Sequence, residues 1–305
     1  MVVLLLIISF GVFTLLYLAP GSVEQILLGT KPATPETLAS IRAQYHLDDP
    51  FLTQYWIWLK DALHGDFGTS IRTSEPVASG IESRMGLTLF LGGYAFVLVM
   101  LTGVPLGILA AVKKRSVVDR GVVALGVIGV SAPAFATGIF LLYIFAVLLG
   151  WFPAYGQGSG FTDRLWHLTL PAVALALTAM ALVLKLTRAA MITALDQDYV
   201  AFARARGIPS GRVLVFYGLR NALIPVVTAA GLILGYLLTG AVLVEVTFAL
   251  PGIGSLLVDS VDFKDVPMVQ GVAMTAAFVI ILVNLLTDIL YLFIDPRVRF
   301  GRSAA

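Results

Sequence analysis

The chain has 305 residues, of which 59% are hydrophobic and only 12% charged, about half the charge share of a typical soluble domain. A net charge of +2, with no basic face interleaved with aromatics, excludes a nucleic-acid surface. The absence of cysteine excludes a disulfide framework, a zinc–thiolate site and cysteine catalysis. His46, His64 and His167 lie far apart and form no H-x-x-x-H pair, so they read as loop or interface histidines and not as metal ligands.

The apolar residues fall in long runs, which is the membrane signal. The first, Val2–Leu18, is about as long as a bilayer core requires. It lacks the basic start and the A-x-A site of a signal peptide, so it reads as a retained helix ending at Ala19-Pro20-Gly21. The missing basic start predicts that a few residues precede Met1. Gly21–Met85 is the one stretch polar enough to be solvated. Thr34-Pro35-Glu36 there is an N-cap, a proline at N1 and an acid in the first turn of a helix. Asp49-Pro50 starts a second helix that Gly65 ends, with Phe51, Tyr55, Trp58 or Leu59, and Ala62 along one apolar face. That face packs on the mouths of the spans or lies among headgroups, with a role in receiving a partner or substrate as the alternative.

Five further runs follow, roughly Leu87–Val112, Val117–Leu149, Leu168–Leu186, Leu223–Leu243 and Met268–Phe293. Each is near or above the ~20 residues that ~30 Å of hydrocarbon requires. Ser131-Ala132-Pro133 is the expected break in the long one, while Pro105 and Pro171 are tolerated inside theirs. Gly235, Gly240, Gly252 and Gly254 are expected to serve close packing and turns. The fold class is therefore an all-α integral membrane protein of about six transmembrane helices. Its parts are a first span at 1–19, an external segment at 20–85, a five-helix core at 86–294 with a long loop at about 189–221, and a tail at 295–305.

Six spans put both termini on one side. Lys113, Lys114, Arg115 and Arg120 flank one loop. Lys185, Arg188, Arg204, Arg206, Arg212 and Arg220 lie in or beside the next loop on that side, and Arg297, Arg299 and Arg302 in the tail. The excess of basic residues places these loops and both termini in the cytoplasm.

Residues 196–212, DQDYVAFARARGIPSGR, are the polar exception among the later runs. Asp196 or Asp198 can cap a helix start. Tyr199 and Ala203 share a face, Ala201, Ala203 and Ala205 leave room for another surface, Gly207 suits the C′ position, and Pro209 stops the helix. A helix of about two and a half turns is not stable alone. Packing on its own chain, on a partner, or as an elbow with arginines on headgroups holds it.

Asp198-Tyr199-Val200, Ala203-Arg204-Ala205-Arg206-Gly207 and Leu219-Arg220-Asn221-Ala222-Leu223-Ile224-Pro225 together resemble the cytoplasmic loop of bacterial ABC importer permeases, especially the dipeptide, oligopeptide and nickel branch. The likeness continues through Leu18-Ala19-Pro20-Gly21, His46-Leu47-Asp48-Asp49-Pro50, Gly65-Asp66-Phe67-Gly68-Thr69-Ser70, Ser131-Ala132-Pro133-Ala134-Phe135, Glu245-Val246-Thr247-Phe248, Pro251-Gly252-Ile253-Gly254, Asn284-Leu285-Leu286-Thr287-Asp288 and Asp295-Pro296-Arg297-Val298-Arg299. Two departures stand out. Ala201-Phe202-Ala203 keeps only the last alanine of the family's Glu-Ala-Ala triplet, and Tyr217-Gly218 replaces a histidine often seen before Leu219.

The resemblance implies a type I importer permease fold in the bacterial inner membrane. It implies as partners a second homologous permease, two cytoplasmic ATPases, an external substrate-binding protein and a peptide substrate. Asp198, Tyr199, Ala203, Arg204, Ala205, Arg206 and Gly207 would form the ATPase-coupling helix. ATP and magnesium would be bound by the ATPases, since no Gly-Lys pair and hence no P-loop occurs here. No residue is read as catalytic. Glu245, inside an apolar run, must face protein or water because a carboxylate in lipid costs ~3 kcal/mol or more. With Phe248 it is the candidate pathway or gate, against a purely structural acid. Asp288 reads as structural. The alternatives are a stand-alone secondary carrier, and a permease of the same kind for a nickel complex or glutathione.

Overall fold

The computed structural model describes residues 2–18, 21–29 and 32–294. The expected exit at Ala19-Pro20, Lys31, the tail arginines and the Asp295–Arg299 motif lie outside the described residues. In chain order the helices are α1 (Val2–Leu18), α2 (Val23–Leu28), α3 (Pro35–Gln44), α4 (Phe51–Leu63), α5 (Val77–Val112), α6 (Val117–Ser131) and α7 (Ala134–Leu141). They continue with α8 (Gly160–Leu195), α9 (Asp198–Ala205), α10 (Ser210–Arg212), α11 (Arg220–Thr247), α12 (Ile253–Asp262) and α13 (Val266–Ile294). Leu142–Leu148 and Val213–Leu219 wind as π-helix. Among the described residues the one extended pairing is an isolated bridge between Thr69 and Pro76.

α5, α8, Pro225–Thr247 of α11 and Val266–Ile289 of α13 are each long and apolar enough to cross a membrane. Val117–Ser131 and Ala134–Leu148 form a fifth such span if taken together, bent by 99°. The bend falls at Ala132-Pro133, as expected, because Pro133 has no N–H to continue the helix. α1 has 17 residues, about 25 Å of helix at ~1.5 Å per residue. It is an apolar helix shorter than the other candidate spans. The expected run bounds are also corrected. α5 starts ten residues before Leu87, and α8 extends eight residues before Leu168 and nine beyond Leu186.

The chain divides into two compact units. The first comprises Met1–Thr88 and Leu250–Ile281. Thr34 caps α3 through its hydroxyl, with Pro35 at N1, as read from the sequence. α4 starts at Phe51, with Pro50 before it and no side-chain cap, so Asp49 does not cap it. It ends in a Schellman motif. Gly65, at φ +83°, donates to the Ala62 carbonyl, and Asp66 donates to that of Asp61. The expected apolar face of α4 lies on α1: Tyr55, Leu59, Phe51 and Trp58 pack around Phe13 and Tyr17. Three polar ties pin α1. Ser9 meets the Tyr55 hydroxyl at 2.8 Å, Tyr17 donates to Gln54, and the Gln270 amide donates to the Val12 and Phe13 carbonyls.

Asp265, which the sequence reading passed over, anchors the rest of this unit. It is 2% exposed. Its carboxylate accepts from the Ser70 hydroxyl and from the backbone N–H groups of Ile71, Arg72 and Met268. One buried acid thus ties the 70–72 turn to the first turn of α13.

The second unit comprises Leu89–Ala249 and Leu282–Ala305. α8 is its axis. Its most apolar window is 67% buried, against 33% for the other three long spans. α6, α7 and α11 all pack on it. α5 approaches it most closely through Gly103 and Gly107. A Cβ on Gly107 would lie 2.7 Å from Thr187 Cβ and 2.8 Å from the Leu184 carbonyl oxygen. This is a G-x-x-x-G contact, in which small residues let two backbones meet in lipid. Gly107→Ala is expected to push the helices apart at a cost of about 1–3 kcal/mol. Gly93, on the same helix, has nothing within 4 Å of its missing Cβ. Gly93→Ala is expected to be neutral or slightly stabilising. Thermal unfolding of the two detergent-purified variants checks the pair.

Candidate functional site: the short helix between two spans

α8 ends at Leu195 with Asp196 as its C-cap, and α9 starts at Asp198. The helix has 8 residues, no side-chain N-cap at Gln197, and a complete C-terminal stop. Gly207, at φ +74°, donates to the Arg204 carbonyl at 2.9 Å, and Ile208 donates to that of Ala203 at 3.2 Å. These are the two bonds of a Schellman motif, and Ile208 supplies its apolar contact by packing on Val200, Ala203 and Val213. The expected C′ role of Gly207 is therefore present. The expected capping role of the acids is not. Asp196 instead pairs with Lys114 Nζ at 3.0 Å, and Asp198 is the exposed first residue of the helix.

The two faces of α9 differ. Val200 and Ala203 are buried, at 0% and 4% exposure, under Leu195, Val213 and Tyr217. Ala203 therefore supports the helix and offers no surface, contrary to the reading of three alanines as one approach face. At ~100° per residue, Ala201 and Ala205 share a side and Ala203 points away from it. On the open side stand Phe202, 70% exposed, with Ala201, Arg204, Ala205 and Arg206. Tyr199 is half-exposed and stacks on Tyr217, with ring centroids 6.4 Å apart.

Tyr217 and Gly218, the departure noted in the sequence, both have work here. A Cβ on Gly218 would sit 3.0–3.1 Å from Leu195 and Met191 side chains, so the glycine lets the π segment lie against the end of α8. A shallow groove beside Tyr199 is lined by Ala189, Thr193, Gln197, Asn221 and Pro225.

Glu245 and Phe248 stand apart from this loop in sequence, at the end of α11. Both are covered by protein, at 0% and 2% exposure. The Phe248 ring lies where a Cβ on Gly138 would stand 2.9 Å away. The expectation that Glu245 faces protein or water resolves as protein. Asp288 is exposed on α13.

Sequence reasoning also missed Asp119 and Arg188. The Arg188 Nε and Nη2 donate to the two Asp119 oxygens at 2.6 and 2.8 Å, and Asp119 is 4% exposed. Neither residue stands in a recognisable motif, so only the fold reveals the pair.

Long apolar helices, four of them able to cross a membrane, with a short helix closed on one face and open on the other, define an integral membrane protein. A model described as "Binding-protein-dependent transport system inner membrane component" matches residues 103–300. One for the N-terminal part of such membrane components matches residues 1–92. The chain belongs to this family. It is a multi-pass inner-membrane permease subunit of an ABC importer, with ATP hydrolysis in separate subunits. The family implies a second permease, ATPases and a binding protein as partners. This sets aside the stand-alone carrier.

The glutathione transport system permease protein GsiC of Salmonella choleraesuis (strain SC-B67) is 40% identical over 297 residues, covering 97% of this chain and 95% of that protein. Its counterpart in Escherichia coli (strain K12) is 39% identical with the same coverage. In the solved inward-facing MetNI methionine ABC transporter, one chain superposes with a TM-score of 0.59 at 17% identity. The match covers 70% of this chain and 95% of that one, and it carries the fold alone.

The Schellman stop generates a local prediction. Gly207→Ala places a side chain in the left-handed region, at a cost of about 1–2 kcal/mol. Ala203→Leu overpacks the Val200–Val213 contact by about 1–3 kcal/mol. Both are expected to raise the hydrogen-exchange rate of residues 198–208, while exchange within α8 stays at the parental level.

Proposed function

We propose that this chain is the permease subunit of an importer for short peptides, with the tripeptide glutathione as its first substrate to test. Support comes from the 40% identity, over nearly the full length, to permeases named for glutathione transport. In this reading α9 is the coupling helix. Phe202 enters an apolar cleft on the ATPase, with Arg204 and Arg206 beside it. Tyr199 stacks the helix on its own chain, Ala203 seats it, Ala205 allows close approach, Asp198 favours the positive end of the helix, and Gly207 ends it. The observation that carries the reading is the two-faced packing of α9. One side is closed by its own chain, while Phe202 stands 70% exposed on the other.

The loops carrying Lys113–Arg120 and α9, and both termini, are cytoplasmic in this reading, and the 20–85 segment is external. Glu245 and Phe248 are covered, so contact with substrate requires neighbouring helices to part. Their burial supports a gate and not an open-path lining.

Reconstitution with the partner permease, ATPases and binding protein tests substrate and coupling together. Uptake of labelled glutathione is expected to need ATP and the binding protein. Uptake of methionine in preference to glutathione and to dipeptides would overturn the peptide reading. Phe202→Ala is expected to lower ATPase co-purification and uptake about tenfold while the permease pair stays assembled. Because the chain has no cysteine, orientation is read directly. Ser74→Cys is expected to react with an impermeant thiol reagent in intact cells, and Ser210→Cys only after permeabilisation. Glu245→Gln is expected to slow uptake with assembly and basal ATP hydrolysis near normal, and unchanged uptake kinetics would remove Glu245 from the gate.

A further inference from the structure

The cytoplasmic-side turn between α5 and α6 carries a set of contacts that the loop reading leaves unused. Arg115 sits at φ +66°, which turns the chain so that its backbone N–H donates to Asp119 Oδ2 at 2.9 Å. Ser116 caps α6 by accepting from the Asp119 N–H. Asp119 then takes both Arg188 donors in a bidentate bond, the geometry that fixes orientation as well as distance. Two turns further along α8, Lys114 Nζ reaches Asp196 at 3.0 Å. The hairpin is thus held to α8 at two points, one buried and one exposed, on either side of the stretch that leads into α9.

Apolar contacts repeat the arrangement deeper in. Ala110, Val122 and Leu184 form one cluster and Ala111, Met191 and Ala222 another. Breaking a buried pair at one partner leaves a charge uncompensated, so the Asp119–Arg188 bond resists sliding between hairpin and α8 where apolar contacts alone permit it.

We infer that Asp119 and Arg188 are positioning residues for coupling: they lock the α5–α6 hairpin to α8, so that the hairpin and α9 move as one body when the ATPases close. The inference rests on α9 being the coupling helix. It assigns these two residues no contact with ATPase or substrate. Their task is to carry a displacement of α9 into α5 and α6 without loss.

Two experiments on the reconstituted complex test it. Asp119→Asn keeps the acceptor oxygen for the Arg115 N–H and removes the charge. ATPase co-purification is expected to remain at the parental level, while the ATP hydrolysed per substrate imported rises at least tenfold. Loss of co-purification in step with uptake would mean that the pair only shapes α9. A parental ratio of hydrolysis to uptake would mean that it positions nothing. Either result overturns the proposal.

The second experiment does not depend on how well that variant folds. A Cβ on Gly126 of α6 would lie 3.7 Å from Ala181 Cβ of α8, within the ~3.5–4.5 Å of a disulfide. Gly126→Cys with Ala181→Cys, in a chain with no other cysteine, is expected to oxidise and still import within twofold of the reduced form. Import abolished by oxidation and restored by a reductant would show that α6 and α8 must slide. Failure to oxidise would remove the juxtaposition itself. Both outcomes overturn the proposal. If α9 is not the coupling helix, Phe202→Ala will leave ATPase binding unchanged, which separates failure of that reading from failure of this one.

Discussion

The close approach of α5 to α8 is the constraint on which the second unit depends. In lipid, helices gain little by hiding apolar surface from one another, so packing must come from fit. Gly103 and Gly107 supply it by letting the α5 backbone meet the Met180 and Leu184 carbonyls and the Val183 and Thr187 side chains. With α5 seated there, α6, α7 and α11 have the rest of α8 to themselves, and two thirds of its apolar window disappears from the surface. The alanines at 172, 174, 176, 179 and 181 are all buried. They are the sequence cost of a helix packed against several neighbours at once.

The first unit uses a different principle. Its helices are short, and polar groups do the fastening. Asp265, Gln270, Ser9 and Tyr55 each close a bond over a long stretch of sequence. A buried carboxylate with several donors specifies one arrangement, because any other leaves it unsatisfied.

The legible parts of the sequence were those governed by local backbone chemistry. Pro133 breaks its span, Thr34 and Pro35 start α3, and Gly65 and Gly207 end α4 and α9, because proline and glycine act on their own turn whatever surrounds them. The run bounds were less legible. Hydropathy marks where lipid is tolerated, whereas α5 continues as helix through Ser79, Glu82 and Arg84 before Leu87. The partners of charged residues were not legible at all. Asp196 was available to α9 as a cap, but Lys114, 82 residues away in sequence, holds it. The alanines of α9 show how spacing alone can suggest the wrong face. Alternation by two suits a strand, while a helix turns Ala203 away from Ala201 and Ala205.

The π segment Val213–Leu219 makes the register of α11 depend on one extra residue per turn. Restoring α-helical winding there with all seven residues retained would rotate all that follows by about 100°. Glu245 and Phe248 would then turn out of the protein interior. Winding and length in this seven-residue stretch are therefore tied to each other. A change of winding at unchanged length re-aims the 28 residues of α11 at once, whereas a one-residue deletion with a return to α-helical winding leaves them nearly in place.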